Sequence, residues 1–164
     1  MRDFNYKTVI ERGRSPQIDA IHDFLIPRVS GHWLDIGCNA GWMLSDIPNG
    51  VGVEPSLFLV ELARAKGLDV HHAWAEELPF PSASFDTALM ASVLEQAEDW
   101  RKALAEAQRV AMRVIGIMPY PGSAWGIIGG KHKRVRNVIA PDELRLMGAR
   151  IEDYVTPTDY FFEL

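Results

Sequence analysis

Short apolar runs alternate with segments of helical periodicity from Trp33 to Met118, and that order restricts the possible folds more than any other feature of the chain. Trp33-Leu34-Asp35-Ile36 reads as a first strand, the turn Gly37-Cys38-Asn39-Ala40-Gly41 follows, and Trp42, Met43 and Leu44 begin a helix. The pattern then repeats. Val51-Gly52-Val53-Glu54 is a short buried strand, and Pro55-Ser56 opens a helix through Lys66 that Gly67 terminates. Val70 to Ala73 is a third strand and Phe85 to Ala91 a fourth. Asp99 to Val110 carries Trp100, Ala103, Leu104, Ala107 and Val110 at helical spacing, before a fifth strand from Val114 to Met118 that Pro119 stops. Ahead of this series, Ser15 and Pro16 cap a first helix, with Ile18, Ile21, Phe24 and Leu25 on one face until Pro27.

Strands separated by helices pair in parallel, because right-handed crossovers lay the helices on both faces of the sheet. The tail breaks this rule. Pro141 to Met147 is a short helix, and Ile151 to Val155 and Tyr160 to Leu164 are strands joined by only Thr156-Pro157-Thr158-Asp159. So short a connection permits only an antiparallel pair. The expected fold is α/β, a doubly wound and mostly parallel sheet with an antiparallel C-terminal edge.

With 164 residues, no internal repeat and no linker, residues 1–164 are expected to form one domain that buries roughly 70% of its unfolded surface. The 48% hydrophobic and 24% charged fractions are those of an ordinary globular protein. Cys38, the single cysteine, excludes an internal disulfide, and the N-terminal residues carry no apolar targeting run, so a cytoplasmic location is expected. No apolar stretch approaches the ~20 residues of a membrane span. A net charge of -5 opposes non-specific nucleic-acid binding, which needs many Lys and Arg on phosphates. Lys131, His132, Lys133, Arg134 and Arg136 form a local basic segment, either a contact for an anionic substrate or a solvated loop.

In open parallel sheets ligands bind beyond the carboxyl ends of the strands, where the strand order reverses. The small residues between Asp35 and Gly41 let backbone N–H groups approach a ligand there, although a tight turn without any ligand has the same look. Glu54 closes the second strand, where a carboxylate takes both hydroxyls of a ribose, a contact of ~1.5–3 kcal/mol when desolvated. Turn and acid together specify a nucleoside-containing ligand.

The segments LDIGCNAGWML, VGVEPS with ELARAKGLDV, AEELPFPSASFD and SVLEQAEDWRKALAEAQRV, in this order, resemble the class I S-adenosylmethionine-dependent methyltransferases, especially their small-molecule subgroup. The resemblance runs from about Gly31 to Met118. It implies S-adenosylmethionine as cofactor and a small-molecule methyl acceptor as partner. It implies that the turn from Gly37 to Gly41, with Cys38 and Asn39, holds the methionine end of the cofactor and Glu54 the ribose, with Asp35 and Pro55 also among the cofactor-binding residues. Trp74, Ala75 and Glu76 match positions beside the adenine, and Ser92 one near the methyl donor. Tyr6 and Arg14 are candidates to close over the cofactor, and the acceptor pocket is expected from residues after Ser92 and from Pro119 to Arg136, with Tyr120 and Trp125.

Several residues depart from the family pattern. Asn39 stands where glycine is usual, and Trp74 where an acid commonly reads the adenine amino group, so its indole either stacks on the adenine or packs into the core. Gln96 replaces a frequent His, and the usual Pro-Gly-Gly turn is missing between Val110 and Val114. These changes keep a second reading open, a non-catalytic binding module on the same fold. A nicotinamide-dependent oxidoreductase shares turn and acid but lacks the G-x-G-x-x-G spacing. His71 and His72 are adjacent and face opposite sides of a strand, and His22, His32 and His132 have no partners in ligand spacing, so no metal is expected. Ser92, Ser123 and Cys38 sit in no nucleophile context, and catalysis is expected to rest on positioning.

Overall fold

The computed structural model describes residues 16–121, 123, 136–156 and 158–164. One seven-stranded sheet organises them. Its strands are β1 (Trp33–Ile36), β2 (Gly50–Glu54), β3 (Val70–His72), β4 (Phe85–Ala91), β5 (Ala111–Pro119), β6 (Arg150–Thr156) and β7 (Asp159–Glu163). The helices are α1 (Pro16–Leu25), α2 (Trp42–Asp46), α3 (Leu57–Arg64), α4 (Trp100–Val110) and α5 (Pro141–Leu146), with a single 3-10 turn at Ile26–Arg28. The sheet order is β3-β2-β1-β4-β5-β7-β6; β7 runs antiparallel to both β5 and β6, and every other pair is parallel. The expected doubly wound sheet with an antiparallel C-terminal edge is thus the observed one.

The period of two along each strand divides the core into two layers. Leu34, Ile36, Ala88, Met90, Val114, Tyr160 and Phe162 point to one face, where Trp100, Ala103, Leu104 and Ala107 of α4 and Leu144 of α5 cover them. Trp33, Leu89, Ile115, Ile117 and Phe161 point to the other, under Leu25 of α1, Leu44 of α2 and Val60 and Ala63 of α3. Phe24 of α1 meets Phe161 edge-on at 5.4 Å. Neither layer closes without both the parallel crossovers and the C-terminal hairpin.

Element ends follow local chemistry. The Asp99 carboxylate accepts from the Arg101 and Lys102 N–H groups and starts α4. Helix α3 stops at Arg64, two residues short of the expected Lys66, because Gly67 at φ +80° and the Leu68 N–H bonded to the Ala63 carbonyl wind the chain off the helix. Strand β5 begins at Ala111, three residues earlier than expected. With no Pro-Gly-Gly turn, the chain passes from Val110 straight into an extended residue paired with Phe85. Pro119 ends the strand opposite Asp159. No helix among the described residues is long and apolar enough to cross a membrane.

Candidate functional site

The strand order reverses between β1 and β4, and the chain leaves both strands at the same end of the sheet. At that end of β1, the Gly37 and Cys38 N–H groups both donate to the Val53 carbonyl, at 2.7 and 3.0 Å, which ties the turn to β2. Gly37 (φ +75°), Asn39 (φ +53°) and Gly41 (φ +76°) then place three residues in five in the left-handed region. Asn39 tolerates this because its own Oδ1 accepts from the Ala40 N–H at 2.9 Å. Lys66, beyond α3, reaches across to the Ala40 carbonyl at 2.7 Å. The Cys38 thiol is buried beneath the turn, and desolvation pushes its pKa up, which leaves it unreactive.

Two acids flank this turn. The Asn39 N–H donates to Glu54 Oε2 at 3.1 Å and the Ser56 N–H to Oε1 at 2.9 Å, so the carboxylate is held at both oxygens with lone pairs to spare. Burial raises the Glu54 pKa, and the two N–H bonds and His72 oppose the rise. His72 itself lies against the Pro55 carbonyl, Nε2 to O 3.0 Å. Asp35 is only 3% exposed and has no hydrogen-bond partner among the described residues. Burial, with the Glu54 charge adding to it, pushes its carboxyl up to about 8.

The remaining expected residues stand at the ends of the neighbouring strands. Trp74 is 50% exposed, which rules out the core-packing alternative. Ala75 packs against the edge of the core. Glu76 turns away from a free role, since its Oε1 accepts from the Glu98 and Asp99 N–H groups at 2.7 and 3.3 Å and so holds the start of α4. Ser92, one residue past β4, has φ +57°, a conformation that costs a residue with a side chain of order 1 kcal/mol. Its N–H donates to the Ile117 carbonyl, and its own carbonyl accepts from Gln96 Nε2 at 2.6 Å. Val93 faces the turn closely enough that a Cβ on Gly37 would lie 2.9 Å from its Cγ2.

Residues outside the described part are Tyr6, Arg14, Trp125 and Lys131 to Arg134, with His132. Arg136 is exposed, 3.9 Å from Glu98. Tyr120 lies against Tyr160 with ring centroids 5.2 Å apart. His71 meets the Phe80 ring edge-on and lies 3.5 Å from Asp69, away from the turn's acids. No cluster of metal-ligating side chains occurs among the described residues.

Sequence reasoning missed Glu95 and Lys66. Glu95 is 4% exposed, its Oε2 has no partner, and burial pushes its carboxyl up to about 7. An acid in a loop carries by its residue type no signal of burial. Lys66 reads as a helix end, and nothing in its position announces a contact 26 residues away.

Residues 34–113 match the family described as a methyltransferase domain. An uncharacterized protein of Methanocaldococcus jannaschii is 36% identical over 92 residues, which cover 54% of this chain and 45% of that protein, so the chain spans about half the length of this curated relative. A SAM-dependent methyltransferase from Archaeoglobus fulgidus superposes with a TM-score of 0.79 at 16% identity, over 98% of this chain and 99% of that one. A second structure, from Thermotoga maritima and described as a SAM-dependent methyltransferase and possible histamine N-methyltransferase, gives 0.71 at 22% identity over 88% and 87%. At such identities the two structures speak for the fold, while the domain match speaks for descent. The domain match over residues 34–113 and the sheet order together support a class I S-adenosylmethionine-dependent methyltransferase.

Proposed function

We propose that the protein transfers a methyl group from S-adenosylmethionine to a small-molecule acceptor, at the end of the sheet where β1, β2, β3 and β4 finish. The observation that carries this reading is the pair of buried acids around a left-handed turn: Glu54 held by two backbone N–H groups, and Asp35 beside it with no partner. A neutral ligand leaves Asp35 unsatisfied. A ligand with an ammonium group and a ribose diol suits both acids, and S-adenosylmethionine has both.

In this reading Asp35 receives the ammonium of the methionine part, and the Gly37 to Gly41 backbone bounds it closely. Glu54 accepts the ribose hydroxyls, the exposed face of Trp74 covers the adenine, and Ala75 lies at its edge. Pro55 and His72 back Glu54. Ser92 stands where β4 ends, beside the transferred methyl group. When bound, the cofactor supplies a methyl group already activated on a sulfonium, so the protein's part is alignment and exclusion of water. The single buried Cys38 suits a reducing cytoplasm, which we take as the compartment.

One observation favours the binding-module alternative: the Glu76 carboxylate is engaged at the start of α4, which leaves the adenine fewer polar contacts. Calorimetry decides between the readings. S-adenosylhomocysteine is expected to bind and to raise Tm, as any ligand specific for the native state does. Glu54→Ala should weaken it about ten- to a hundredfold. No binding at millimolar ligand would remove the enzyme reading.

A further inference from the structure

Glu95 lies on the loop from β4 to α4, beyond Ser92 and apart from the acids of the cofactor turn. Its backbone is clamped: the Arg136 and Asn137 N–H groups donate to its carbonyl at 2.7 and 3.0 Å, and Asn137 Nδ2 ties down the Leu94 and Ala97 carbonyls on either side. Its side chain is buried, yet Oε2 finds no partner. Ionised, that oxygen lacks a donor; protonated, its O–H lacks an acceptor. Either state leaves a buried polar atom unsatisfied, a cost that a purely structural residue would not need to carry.

The surroundings narrow what is missing. The start of β7 contributes Asp159, buried, with hydroxyl donors from Thr156 and Thr158, and Tyr160, whose hydroxyl donates to the Ile139 carbonyl. The Asp159 charge acts on Glu95, and the Glu95 charge on Tyr160, so the three groups share one neighbourhood. Tyr120 adds its ring against Tyr160. Among the described residues no Lys or Arg pairs with Glu95. The buried Glu95 carboxyl repels a carboxylate, phosphate or phenolate and favours an N–H donor, while the aromatic rings suit an apolar body.

We infer that Glu95 gives the acceptor site its preference for a basic nitrogen, with Oε2 receiving an N–H of an amine acceptor. This rests on the methyl-transfer reading above. In the transfer, the nitrogen lone pair forms the bond to the methyl carbon, the carbon–sulfur pair leaves with sulfur as a thioether, and the proton released by nitrogen passes to Glu95.

Calorimetry on the full chain saturated with S-adenosylhomocysteine tests it, with benzylamine and phenethylamine compared with benzyl alcohol and phenethyl alcohol. At least one amine is expected to bind about tenfold or more tightly than the alcohol of its shape. Glu95→Gln should abolish that preference and leave S-adenosylhomocysteine affinity within about threefold, whereas Glu95→Asp, which keeps the acid, should retain part of it. The inference is overturned if no amine is preferred in the wild type, no binding at roughly 10 mM included, or if the preference survives Glu95→Gln. The wild-type comparison needs no variant to fold. Failure of S-adenosylhomocysteine itself to bind would instead sink the methyl-transfer reading, so the two failures are distinguishable.

Discussion

Replacing Asp35 with Asn removes a titration that the fold holds far from its ordinary place. The carboxyl is pushed from 3.8 up to about 8 by burial, with Glu54 adding to the effect. Between those two values the native state binds a proton that the unfolded state has released, so the free energy of unfolding falls as pH rises. The stabilisation is complete below about 4 and lost as pH rises through about 8. At ~1.4 kcal/mol per pK unit the ceiling is near 6 kcal/mol, and relaxation and water entry at a site this close to the turn bring the expected change to about 2–3 kcal/mol. The side chain introduced by Asp35→Asn is neutral throughout; its unpartnered amide costs the same at every pH, so the readout is a slope and not an offset. Urea titrations from about pH 5 to about pH 8 should show the variant gaining about 2–3 kcal/mol on the wild type, since Glu95 titrates in both proteins and cancels in the difference. The same proton is linked to the ligand. Because an ammonium favours the ionised carboxylate, S-adenosylhomocysteine should bind the wild type more tightly as pH rises toward about 8, and the variant without that dependence. A stability difference constant to within about 0.5 kcal/mol across this range, or one of opposite slope, would refute the assignment of a protonated, partnerless Asp35.

The turn and its neighbours give further tests. Since Asn39 already holds φ +53°, Asn39→Gly should leave cofactor affinity within about threefold and stability little changed, whereas Asn39→Val should cost ~1 kcal/mol or more; a tenfold tighter ligand in the glycine variant would mean that the amide crowds the site. Trp74→Ala should lower stability by less than ~1 kcal/mol, because the side chain is half exposed, and weaken S-adenosylhomocysteine about three- to tenfold. Unchanged affinity would separate the indole from the adenine. Neither His71→Ala nor His72→Ala should reduce turnover by ~1,000-fold, as catalysis by positioning requires no base on β3; such a loss with cofactor affinity intact would overturn that mechanism.

Much of this protein was legible in one dimension because its signals are local. A strand shows its period of two, a helix its cap, and a tight turn its small residues, and each depends on atoms only a few residues apart. Hence the alternation from Trp33 to Met118 and the short Thr156 to Asp159 connection determined a doubly wound sheet with an antiparallel edge, and the order of motifs pointed to the methyltransferase domain that residues 34–113 match. What depends on distant partners was hidden. Only the tertiary structure decided that Glu76 is spent on the start of α4, that Trp74 stays half exposed, and that Lys66 reaches Ala40 across 26 residues. It also decided that the acid at position 95 is buried with its Oε2 unpartnered, while its neighbour Gln96 is exposed. Burial and pairing are properties of the whole packed chain, set when the C-terminal hairpin and the Arg136 to Ala140 segment close over the loop after β4, and no residue type carries them by itself.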